Sequence, residues 1–206
     1  PPLLAQMGVQ RISGRIVDVL QRTEFPGTIE VAAGRIRRII RNASVRSRHL
    51  LLPGLVDAHI HIESSMLAPA EFARQAVVHG TVATVSDPHE IANVLGAAGV
   101  NYMIADGRRT PFKFFFGAPS CVPATTFETA GAALDARAVA RLLARREVKF
   151  LAEVMNFPGV LHGDPSLRAM IASVAMAVQR EVAAGQPNFA FLIEVNENVA
   201  AGLADG

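Results

Sequence analysis

Leu51-Leu52-Pro53-Gly54-Leu55-Val56-Asp57-Ala58-His59-Ile60-His61 is the stretch on which the reading of this chain turns. It is an apolar run, interrupted by Pro-Gly, that ends in three polar side chains. Alternate residues of a strand share a face, so His59 and His61 point the same way and both imidazoles can reach one metal ion. Histidines at this spacing also occur on half-exposed strands with no ligand role, so the pair alone does not decide the matter.

Working outward, the C-terminal side alternates strands and helices. Pro69 suits the first position of a helix, with Phe72, Ala76 and Val77 on one face and Gly80 as its stop. Thr81 to Ser86 is β-branched and runs into Asp87-Pro88-His89-Glu90. Phe112 to Phe116 reads as a third strand and Lys149 to Val154 as a fourth, with a helix from Asp135 through Arg146 between them. Asp164-Pro165 opens a further helix reaching about Ala184, with Met170 and Met176 expected in its core face, and Asn188 to Val195 is apolar enough for a fifth strand. Alternating strands and helices predict parallel βαβ units, and polar residues gather after each strand, where a (β/α) barrel places its active site. The expected fold class is α/β: the first part of a (β/α)₈ TIM-type barrel over residues 51–206.

Residues 1–50 read differently. Val9 to Leu20 carries β-branched residues around Gly14, Phe25-Pro26-Gly27 suggests a turn, Thr28 to Val31 a strand, and Ala33-Gly34 a turn into Ile36 to Ile40. A small β-sandwich-like domain is expected there.

The 206 residues, half of them hydrophobic, suffice for a substantial core. The net charge is only +2, and much of the basic excess (Arg35, Arg37, Arg38, Arg41, Arg46 and Arg48) has no interleaved aromatic side chain on which bases could stack. A solvated face is expected, not a nucleic-acid surface. There is no apolar run of about eighteen residues to span a membrane and no leader-like segment, and the lone Cys121 excludes an internal disulfide and suits a reducing cytoplasm. The chain begins Pro1-Pro2, which fits a piece of something longer. Cys121 has no histidine beside it in sequence, so it is read as inert and not as a nucleophile.

The titratable residues cluster. Asp87, His89 and Glu90 form a group suited to proton transfer or metal contact; equally, Asp87 and Glu90 could cap a helix that starts at Pro88. Glu63 and Ser64 follow the histidine pair, and Glu153 ends the fourth strand. Asn156 could hydrogen-bond a purine edge or cap the loop before Pro158.

The whole Leu51–His61 string resembles the signature of the amidohydrolase superfamily. The strings His61-Ile62-Glu63-Ser64-Ser65-Met66, Ser86-Asp87-Pro88-His89-Glu90-Ile91-Ala92-Asn93-Val94, Gly117-Ala118-Pro119-Ser120-Cys121-Val122-Pro123-Ala124 and Glu153-Val154-Met155-Asn156-Phe157-Pro158-Gly159-Val160 resemble adenine deaminases, over residues 10–165. That resemblance implies His59 and His61 as ligands of one divalent metal and Glu153 as a bridge to a second (Mn, Fe or Zn). It also implies Asp87, His89 and Glu90 as catalytic groups and Glu63, Ser64 and Asn156 as substrate contacts. The implied reaction is hydrolysis of adenine, a small purine, to hypoxanthine and ammonia, by a cytoplasmic homo-oligomer. No histidine follows His162, whereas complete members draw histidines from later strands. A full site is therefore expected to need residues beyond these. The alternatives are an amidohydrolase acting on cyclic amides and a non-catalytic fragment or assembly partner.

Overall fold

The computed structural model describes residues 8–125 and 127–183. The chain divides into two compact units, Pro1–Gly54 and Leu55–Gly206.

The first unit is one four-stranded sheet in the order β3-β2-β1-β4, built from β1 (Gln10–Asp18), β2 (Thr23–Ala32), β3 (Arg35–Arg41) and β4 (Leu50–Leu51). The first three strands form an antiparallel meander, and β4 joins β1 in parallel. Phe25-Pro26-Gly27, expected as a turn, instead lies inside β2. Pro26 pairs with Arg15 on one side, while the register with β3 begins only at Gly27 and Arg41, so the missing N–H costs no ladder bond. The reversal comes earlier, at residues 19–22, where Arg22 takes a positive φ of 53°.

The second unit holds a parallel sheet in sequential order, β5 (Leu55–Ile60), β6 (Thr81–Ser86), β7 (Lys113–Ala118) and β8 (Val148–Leu151). Its helices are α1 (Pro69–Val77), α2 (His89–Leu95), α3 (Ala97–Gly107), α4 (Ala136–Leu143), α5 (Phe157–Leu161) and α6 (Pro165–Ala183). A 3₁₀ turn, Ile62–Ser65, follows β5. The alternation of strand and helix read from the sequence is therefore observed; the strand candidate at 188–195 lies outside the described residues. The segment between β6 and β7 carries two helices, separated at Gly96, whose φ of 59° ends α2.

The core lies between the sheet and these helices. Ile104, Val139, Val148 and Leu151 are almost fully buried there. Asp135 starts α4 by accepting the Ala138 N–H at 2.7 Å, and Ala138, Val139, Leu142 and Leu143 then fall on one buried face. On α6 the buried stripe is Leu167, Met170, Val174 and Ala177. Met170 is in the core as expected, but Met176 is 55% exposed. It sits six residues beyond Met170, about 240° round a helix of 3.6 residues per turn, and misses the stripe. Among the described residues no helix is long and apolar enough to cross a membrane.

Candidate metal centre

Leu55–Ile60 ends with its side chains at the C-terminal edge of the parallel sheet, and His61 is the first residue past the strand. The turn after it is anchored by Ile62, which is wholly buried. Burying such a side chain contributes about 2 kcal/mol, so the position of His61 is set by packing beneath it. The two imidazoles meet: His59 Nε2 and His61 Nε2 lie 3.0 Å apart. Glu153, just beyond β8, brings Oε2 to 3.9 Å from His61 Nε2. One ligand atom from each of His59, His61 and Glu153 falls within 4.8 Å of the others.

The tautomer of His61 is set from outside this group. Its Nδ1 lies 3.0 Å from the main-chain carbonyl of Asp87, an acceptor only, so Nδ1 carries a hydrogen and, in the neutral ring, Nε2 is the nitrogen with the lone pair. That is the state a metal ligand needs, presented toward His59 and Glu153.

Asp87, His89 and Glu90 adjoin this centre. The His61 and His89 rings meet edge to face with centroids 4.5 Å apart. Asp87 is 2% exposed, and its Oδ2 lies 3.3 Å from His89 Nδ1. It does not cap α2: Pro88 is the N-cap, and no side chain of the cap residue bonds the helix. The capping alternative for Asp87 is thus set aside. The cap comes from Glu63, whose Oε1 accepts the Ile91 N–H at 3.2 Å. Ser64 Oγ donates to Glu90 Oε1 at 3.3 Å. Glu63 and Ser64, read as substrate contacts, thus both hold the helix that bears His89 and Glu90. A second group, His61, His89 and Glu90, also has ligand atoms within 4.8 Å of one another.

Charge accumulates here. Burial pushes the Glu63 carboxyl above the usual carboxylate range, against the pull of main-chain N–H groups including that of Ile91; the charges of Glu90 and Asp87 add to the rise. For His89, burial disfavours the cation, but the hydrogen bond and charge of Asp87, with Glu90 and Glu153, lift it above the ordinary histidine value. Glu63 Oε2, Asp87 Oδ1 and Glu90 Oε2 are buried oxygens with no hydrogen-bond partner, although Glu90 Oε2 stands 3.4 Å from His61 Nδ1. Buried carboxylate oxygens left this way are costly unless a cation or donor meets them. Two imidazole lone pairs and a carboxylate, beside these oxygens, therefore fit a divalent cation.

Asn156 starts α5, its Oδ1 accepting the Gly159 N–H at 3.0 Å. This is the capping role of its two alternatives. Cys121 is a buried free thiol with the Asn156 N–H directed at its sulfur, 3.4 Å away. Asn93, one turn beyond Glu90 on α2, escaped sequence reading. Its carbonyl accepts the Gly131 and Ala132 N–H groups, tying the loop after β7 to that helix. Contacts between segments so far apart leave no local signal.

A family model described as the amidohydrolase family matches residues 50–184. Over 160 residues the chain is 59% identical to an adenine deaminase of Salinibacter ruber, covering 78% of this chain and 29% of that protein. It is 57% identical over 166 residues to an adenine deaminase of a Sulfurovum species, covering 81% and 31% respectively. A Methanosarcina acetivorans adenine deaminase is 54% identical over 165 residues, covering 80% and 30%. The chain thus spans about three tenths of the length of the curated relatives it matches.

Proposed function

The chain belongs to the amidohydrolase family, and on that premise we propose that it supplies the first part of the active site of an enzyme that hydrolyses adenine to hypoxanthine and ammonia. The observation that carries this reading is the convergence of His59, His61 and Glu153 beside the Asp87, His89 and Glu90 group. Similarity to adenine deaminases over four-fifths of the chain supports adenine as the substrate among the many chemistries this scaffold serves. It favours a purine over the cyclic amides, and a catalytic over a purely structural role.

In this reading the sheet β5-β6-β7-β8 is the front of a (β/α)₈ barrel closed by later strands. His59 and His61 would hold one divalent ion and Glu153 would link it to a second, with manganese, iron or zinc as the candidates. When bound, such ions supply Lewis-acid chemistry that brings the ionisation of water near neutral pH. The reaction forms a C6–O bond, breaks C6–N and moves a proton from water to the departing amine.

The protein's own groups manage that proton. Asp87, buried against His89 Nδ1, orients the imidazole and favours its cation. His89 Nε2 stands 3.9 Å from Glu90 Oε1, too far for a direct hydrogen bond but a gap that one water would span, and these are the two groups to which we assign the proton transfer. Ser64 and Glu63 keep the start of α2, and with it these two groups, against the turn that bears His61.

The test is a substrate panel on the whole enzyme. Adenine should release ammonia and yield hypoxanthine, while dihydropyrimidines, hydantoins and N-acyl amino acids should not be turned over. Hydrolysis of a cyclic amide with adenine untouched would overturn the assignment.

A further inference from the structure

The strand pairing of β7 with β8 ends at Ala118 and Leu151, and the Ala152 N–H still reaches the Ala118 carbonyl at 2.9 Å. Beyond that point Pro119 has no N–H to offer. The two chains are nevertheless still joined, because Ser120 Oγ donates to the main-chain carbonyl of Glu153 at 2.9 Å. With its hydrogen committed there, Ser120 Oγ can accept from the Cys121 thiol 3.4 Å away, and Cys121 Sγ receives the Asn156 N–H at 3.4 Å. The joint is dry: Ser120 and Cys121 are 3% and 4% exposed, and Ala152 and Val154 on either side of Glu153 are 0% and 2%.

We propose that Ser120 is a positioning residue for Glu153, its hydroxyl locking the main chain from which the carboxylate reaches the metal centre. The inference rests on reading Glu153 as a metal ligand. A strand end without ladder partners drifts, and a ligand carboxylate must stay near 2.0–2.2 Å from its ion. The carboxylate already stands 3.9 Å from His61 Nε2. A small shift of the Glu153 carbonyl would therefore be felt at the metal, as when other outer partners of metal ligands are lost.

The test uses the whole enzyme loaded with cobalt(II), comparing Ser120→Ala, Ser120→Thr, Ser120→Val and Glu153→Gln. Metal retained during dialysis against graded chelator and the cobalt absorption spectrum are both read, neither of which depends on turnover. Thr and Val are isosteric, so any packing cost of the added methyl is shared and only the hydroxyl differs. Ser120→Ala and Ser120→Val should lose cobalt with affinity weakened about ten- to a hundredfold, with an altered spectrum, while Ser120→Thr stays near the parent. If Ser120→Val retains cobalt as Ser120→Thr does, while Glu153→Gln loses it, Ser120 has no positioning role although Glu153 remains a ligand. If Glu153→Gln itself retains cobalt with an unchanged spectrum, the ligand reading fails, and the proposal with it.

Discussion

His61 Nδ1 lies 3.0 Å from the main-chain carbonyl of Asp87, 26 residues away in sequence. The metal-facing nitrogen of one residue is thus set by the backbone of another whose side chain serves a different partner, His89. The two functions of Asp87 can be separated. Asp87→Asn keeps the carbonyl and removes the charge, so metal content should stay intact while turnover falls by about two orders of magnitude or more, the usual scale for general acid–base catalysis. Metal analysis alongside adenine turnover checks this. Loss of metal in the variant would show that the side chain, and not the carbonyl, orients His61.

Glu90→Gln makes a related forecast. The amide can still accept from Ser64, whose hydroxyl now bonds Glu90 Oε1, so the start of α2 should hold. It can no longer carry a proton from His89, and turnover should drop by about a hundredfold, the low end of what one proton-transfer group contributes. A normal rate would leave Glu90 as an anchor for the turn and nothing more.

Gly99 tests how α2 is seated. A Cβ at this position would stand 2.7 Å from the Ile91 carbonyl of the neighbouring helix. Gly99→Ala should force the helices apart and lower stability by about 1–3 kcal/mol, and since α2 bears His89 and Glu90, turnover should fall as well. An unchanged unfolding midpoint would mean that α2 and α3 pack less tightly than the structure shows.

Asp106 supplies what α1 lacks. The cap residue of α1, Ala68, offers no side-chain acceptor, and Asp106 Oδ2 takes the Ala70 N–H at 2.8 Å while Oδ1 holds Arg109 at 2.7 Å. Asp106→Ala leaves a buried N–H without a partner and should cost about 1–3 kcal/mol, visible as a lowered unfolding midpoint. Asp106→Asn keeps an acceptor and should cost less. Equal losses in the two variants would assign the effect to the Arg109 pair.

What could be read in the sequence was what is local. The apolar run into His59-Ile60-His61 and the β-branched Thr81–Ser86 announce their strands by composition, and the spacing of the histidines foretells their meeting. Tertiary partners decide the rest. Glu63 caps a helix 28 residues on, and Ser120 meets Glu153 across 33 residues. Pro26 reads as a turn because nothing nearby says that it sits just past the end of the neighbouring strand's register. Asp87 can be read as a cap as well as a catalytic group because Ser-Asp-Pro is a good helix start; the structure turns its Oδ2 to the half-buried His89.

The most direct test of the account is metal removal and return on the whole enzyme. Stripped with a chelator, it should stop releasing ammonia from adenine and recover when a divalent ion such as manganese is restored. His59→Ala, which lacks one of the paired imidazoles, should neither retain the metal nor recover. Full deamination by the metal-free enzyme, or by His59→Ala, would contradict the metal centre at its root.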